Sequence, residues 1–133
     1  MTMPNERTRS LRWGYELLQA ITDDPDIDAS IKREAASIAT DYPSPKIIAS
    51  LIESKPAGLP PAAVESIAAA AELFNSVRFT RQASLSDVMR DHLRYTLRHF
   101  PAASDSRMMG IQSGMFRISD WLLPEDYYDG RCS

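Results

Sequence analysis

The sequence predicts an all-α fold, a compact bundle of about six helices. Three observations carry this. Apolar residues recur at three- and four-residue spacing in six separate segments. No segment alternates apolar and polar residues for long, and no Asn-Gly or Asp-Gly pair stands between two such segments. Prolines and small polar residues stand where helices would start and stop.

The first helix is expected over about Glu6 to Thr22. Leu11, Gly14, Leu18 and Ile21 share a face with Leu17 beside them, Asn5 is the expected N-cap, and Glu6 suits the positive first turn. The acidic turn Asp23 to Asp28 ends it. A second helix starts near Asp28 or Ser30, buries Ile31, Ala35, Ile38 and Tyr42, and stops at Pro43. Ser44 as cap and Pro45 at the first helical position announce a third. Ile47, Ile48, Leu51 and Ile52 make that helix almost wholly apolar, so a central place is expected for it. Lys55 to Pro61 reads as a linker. A fourth helix, about Ala62 to Val77, buries Val64, Ile67, Ala68, Ala71, Phe74 and Val77. A fifth, about Ser86 to His99, buries Met89, Leu93, Leu97 and Phe100 before Pro101 stops it. Met108, Ile111, Met115, Ile118 and Leu122 hold helical spacing for a sixth, which Gly110 and Gly114 weaken by about 1 kcal/mol each and Pro124 ends.

The expected organisation is one helical domain over residues 1–124 and a flexible acidic tail over 125–133. A chain of 133 residues buries roughly two thirds of its unfolded surface, enough for a core without staples. The halves 6–54 and 62–112 read as an internal repeat. Residues 10–21 align with 66–77: Ser10 falls on Ser66, Glu16 on Glu72, Leu17 on Leu73 and Leu18 on Phe74. Residues 31–44 align with 89–102, so that Tyr42-Pro43 falls on Phe100-Pro101. Two amphipathic helix pairs can also coincide by chance. If duplicated, the two three-helix units share one core around a pseudo-twofold axis.

The opening MTMPNERTR, followed by SLRWGYELL, an acidic turn and a helix ending in TDYPSP, resembles a family of small uncharacterised proteobacterial helical proteins. Members open with Met-Thr-Met-Pro, an acidic residue and Arg-Thr-Arg, and end their second helix in His-Tyr-Pro. HLRYTLRHFP resembles a second such segment. The resemblance covers residues 1–54 well and 62–101 loosely, and does not extend to 104–133. Asp41 stands where the family has histidine, whereas His99 keeps that place in the second copy. The family has no assigned activity, so the resemblance implies a compact bacterial helical protein and no reaction.

Composition narrows the function. A net charge of −3 argues against a general nucleic-acid coat. A lone cysteine, Cys132, excludes an intramolecular disulfide. With no basic-then-apolar leader and no membrane-length apolar run, a cytoplasmic location is expected. Residues 1–76 hold 7 basic and 11 acidic side chains, whereas 78–107 hold six arginines against Asp87, Asp91 and Asp105.

Arg7, Arg9 and Arg12 crowd the start of the first helix, where the helix dipole disfavours cations. They are read as a solvated face, with Glu6 pairing Arg9 and Glu16 pairing Arg12. A carboxylate elsewhere in the fold, the Asp23–Asp28 turn being the candidate, would take up the rest. Arg90, Arg94 and Arg98 form a ridge on the fifth helix, with His99 near its end. Asp87 and Asp91 can neutralise two of them at three-residue spacing. Met108, Met109, Met115, Phe116 and Trp121 make a soft apolar stripe suited to the core or to an adaptable docking surface.

His92 and His99 are two turns apart, about 10 Å, too far to share a metal. No phosphate loop, dinucleotide fingerprint, nucleophile elbow or zinc-protease motif is present. No cofactor or metal is expected. The favoured function is a non-catalytic protein-interaction module with an unknown protein partner. Its candidate surface is Arg90, Arg94, Arg98, His99, Met115 and Trp121. Homodimerisation through Gly110 and Gly114 is an alternative, as are a nucleic-acid-associated regulator using the arginine ridge and an enzyme without a linear motif.

Overall fold

A computed structural model describes residues 2–56, 58–80, 85–108 and 118–127. Among the described residues, five helices of ten residues or more carry the fold: α1 (Pro4–Asp23), α2 (Ala29–Asp41), α3 (Pro45–Ser54), α4 (Pro61–Thr80) and α5 (Asp87–Leu97). Two short ones follow, α6 (Ala103–Met108) and α7 (Ile118–Trp121). The all-α expectation holds. The sixth predicted helix is described only at its two ends, and Met109 to Arg117 lie outside the described residues.

Helix starts follow local chemistry. The Ser44 hydroxyl accepts from the Ile47 amide at 3.3 Å, and the Ser86 hydroxyl accepts from the Met89 amide at 3.1 Å. Pro45 and Pro61 open α3 and α4 where no amide donor is needed. The start of α1 differs from expectation: Met3 is the cap, Pro4 is the first helical residue, and the Met3 amide donates to Glu6 Oε1 at 2.9 Å. Pro4 wins over Asn5 because its fixed φ and missing N–H suit the first position. α2 and α3 end at Tyr42, just before Pro43, and at Lys55, which takes the left-handed conformation with φ 50°.

α1 and α4 are the long central elements. α1 packs on α2 and α5, and α4 packs on α2, α5 and α6. Their facing sides supply most of the core: Leu11, Leu17, Leu18 and Ile21 from α1, and Ile67, Phe74 and Val77 from α4, all buried with Leu93 of α5. On α5, Thr96 is buried, whereas Leu97 and Phe100 are only partly so.

The two serines that the sequence alignment superposes behave alike. Ser10 donates to the carbonyl three residues back, Arg7, at 2.7 Å and to the His99 carbonyl at the end of α5 at 3.1 Å. Ser66 donates to the Ala63 carbonyl at 3.1 Å and to the Asp41 carbonyl at the end of α2 at 3.2 Å. In both cases the acceptor is the residue before the aromatic-proline stop of the other half. Tyr42 and Phe100, the two aromatics of those stops, converge on Gly14. A Cβ there would lie 2.6 Å from Tyr42 Oη and 2.6 Å from Phe100 Cε2.

α3 is not central. Ile48 is its only fully buried residue and Ile47 is 52% exposed. It lies at the edge against α1 and α7. An apolar helix is ambiguous in sequence, because composition does not say whether its apolar sides meet the core or a groove. Among the described residues no helix is long and apolar enough to cross a membrane.

Candidate functional site

The N-terminal arginines grip the other end of the chain rather than the acidic turn at 23–28. Arg7 Nη1 donates to the Trp121 carbonyl at 2.8 Å, and its guanidinium lies 5.2 Å from the Trp121 ring centre. Leu123 donates its amide to Thr8 Oγ1 at 3.2 Å. Arg12 holds Glu125 in a fork, Nε to Oε2 at 2.6 Å and Nη2 to Oε1 at 2.8 Å, and also pairs with Glu16 at 3.1 Å. Arg9 approaches the same Glu125 at 3.8 Å. The hydrogen bonds that Arg12 donates to Glu125 hold it above its ordinary pKa, whereas burial pulls Arg7 below its own, opposed by Asp105. The expected Arg12–Glu16 pair is present. Glu6 instead faces His99 Nε2 at 3.1 Å, and His99 Nδ1 lies 3.1 Å from Thr2 Oγ1.

This clamp corrects one candidate. Trp121 is 8% exposed and belongs to the core with Ile118 and Leu122, so it offers no docking surface. Glu125, expected to begin a loose tail, is tied down; residues 128–133 lie outside the described residues. Met115 also falls outside them. His99 is committed to Glu6 and Thr2. On the ridge, Arg90 pairs with Asp87 and Arg94 with Asp91 at 3.0 Å, as the spacing predicts. Such exposed pairs contribute about 0–1 kcal/mol each. Their consequence here is to lower the charge the ridge presents.

An aromatic patch missed in the sequence lies between α1 and α5. Trp13 meets Tyr95 edge to face with ring centres 4.6 Å apart, and His92 stacks on Tyr95 at 5.1 Å. Tyr95 is 41% exposed and Trp13 is half-buried. Arg9 and Arg12 flank the Trp13 ring at 5.9 and 6.0 Å. Arg98, the C-cap of α5, follows Tyr95 by three residues. Desolvation, then the nearby Glu16 carboxylate, raises the Tyr95 phenol. His92 is driven below its ordinary value, chiefly by burial, against a hydrogen bond to the Trp13 backbone. Its Nε2 is buried without a hydrogen-bond partner. A neutral imidazole therefore acts as a flat wall behind Tyr95. The signal in the sequence was present but divided: Trp13 sits outside the apolar face of the first helix and Tyr95 outside that of the fifth, which argues only that each is exposed.

No group of three potential metal-ligating side chains stands together among the described residues. Comparison with protein-family models, curated proteins and solved structures finds no match.

Proposed function

We propose that this protein is a non-catalytic protein-interaction module that docks a protein partner on the α1/α5 face. The observation that supports it is the Trp13–Tyr95 pair, with Tyr95 exposed and Arg9 and Arg12 beside the Trp13 ring. Tryptophan, tyrosine and arginine dominate binding hot spots, the two rings because they bury large area at little conformational cost. The patch sits on two packed helices, so its rings are pre-positioned. Arg98, three residues on from Tyr95, favours a partner with acidic residues at the rim. A cytoplasmic setting belongs to the same proposal.

The rival reading uses the same rings as a base-stacking platform for single-stranded nucleic acid. The −3 net charge and the carboxylates on Arg12, Arg90 and Arg94 count against it. The test is capture from native lysate with tagged full-length chain, with and without nuclease, over a salt series. A discrete, nuclease-resistant protein is the expected result. Material lost to nuclease, with affinity falling steeply with salt, would replace this reading with the rival.

The finer reading of the fold, duplication of a three-helix unit, is also proposed. The matched bonds of Ser10 and Ser66 to the opposite half support it.

A further inference from the structure

A second face of the molecule carries an apolar groove of about 470 Å³ between α1 and α3, walled at one end by Pro124 and Glu125. Its floor is Ile48, Ala49 and Ile52 of α3. We infer that this groove docks a basic amphipathic helix of a protein partner. The inference rests on the protein-interaction reading, but on residues separate from the Trp13–Tyr95 patch except Arg12, which borders both.

Three observations specify the occupant. First, α3 is more apolar than its burial requires: Ile48 alone is fully buried and Ile47 is 52% exposed on the same helix. An exposed apolar residue on the groove-forming helix suits an elongated contact rather than an enclosed small molecule. Second, the cleft between α1 and α3 already accepts one helical turn. α7 packs on both helices, with Ile118 and Leu122 buried, and the groove continues from the residues that follow it. Third, the lining carries a net charge of −1, Arg12 against Glu53 and Glu125. Arg12 is taken up by Glu125 and Glu16, whereas Glu53 is exposed at the C-terminal end of α3, where the helix dipole adds further negative potential. A lysine or arginine beside the apolar face of an incoming helix meets both.

The test uses full-length protein and two labelled helical peptides of about 15 residues, each with leucines at i, i+3, i+4 and i+7. One carries lysines at the flanking positions and the other glutamates. Fluorescence anisotropy is expected to show saturable binding of the lysine peptide and at least tenfold weaker binding of the glutamate peptide. Ala49→Trp, which fills the groove from an exposed position, is expected to weaken the lysine peptide at least tenfold with an unchanged melting temperature. Glu53→Lys is expected to weaken it about fivefold, and it decides the matter if Ala49→Trp lowers stability. Tyr95→Ala is expected to leave peptide binding unchanged. Absence of saturable binding, equal binding of the two peptides, or indifference to Glu53→Lys would overturn the inference. A lysate partner that needs Tyr95 while neither peptide binds would end the groove proposal and leave the α1/α5 function standing.

Discussion

Gly14 is the position where the packing account is most exposed to refutation. An interior helix glycine replaced by alanine normally stabilises by about 1 kcal/mol, because the glycine chain loses more entropy on folding. At Gly14 the added methyl would stand 2.6 Å from both Tyr42 Oη and Phe100 Cε2, well inside the 3.4–4 Å of ordinary contact. Neither ring can retreat freely. The Tyr42 hydroxyl donates to the Leu11 carbonyl at 2.7 Å, and Phe100 lies edge to face on the buried Phe74 at 5.4 Å. Displacing two such groups by about 1 Å falls at the upper end of overpacking costs, about 3 kcal/mol. Against the propensity gain, Gly14→Ala is therefore destabilising by about 2 kcal/mol, or a melting temperature lower by about 6–10 °C for a chain of this size. Thermal and urea unfolding followed by circular dichroism measure it. Phe100→Leu should cost less in the Gly14→Ala background than in the native one, because it removes one clash. A Gly14→Ala variant more stable than the parent would refute the convergence of the two aromatic-proline stops on α1.

Other expectations follow from the same contacts. Ser10→Ala and Ser66→Ala should each cost about 1 kcal/mol and match within a few tenths, since each loses an equivalent bond; a large inequality would count against the repeat. Glu125→Ala should cost no more than about 1 kcal/mol, as the pair is about one-third exposed, yet raise hydrogen exchange at the Leu123 amide; unchanged exchange there would contradict the clamp. His92 has its folded pKa below the unfolded value of about 6.5, so the unfolded chain binds the proton more tightly. Its contribution is complete above pH about 6.5 and is lost as pH falls below that value, and a urea midpoint compared between pH 7.5 and 5 should fall less in His92→Asn than in the parent.

What could be read in the sequence was local. Ser44-Pro45 and Ser86 mark helix starts because a cap and a fixed φ act within one turn, and Pro43 ends α2 for the same reason, whereas α5 already stops at Leu97, four residues before Pro101. The buried faces of α1 and α4 follow from spacing alone. Long-range choices were not legible. Arg7 and Arg12 find Trp121 and Glu125 more than a hundred residues away, and nothing at either end distinguishes Glu125 from the acidic turn at 23–28. The apolar content of α3 predicted burial that the fold does not provide. Trp121 looked equally suited to surface and core, and only its packing under Arg7 decides between them. The Trp13–Tyr95 patch needed the α1/α5 contact, which pairs two positions that each helix excludes from its own buried face.

The central claim, a docking surface on α1 and α5, is tested most directly by a double variant. Tyr95→Ala with Arg98→Glu removes the exposed ring and reverses the adjacent charge. Full-length tagged chains, native and variant, are compared for capture of a protein partner from nuclease-treated lysate, with melting temperatures recorded for both. The account predicts a discrete partner with the native chain and its loss with the variant, whose fold is retained. A partner captured equally by both chains would contradict it.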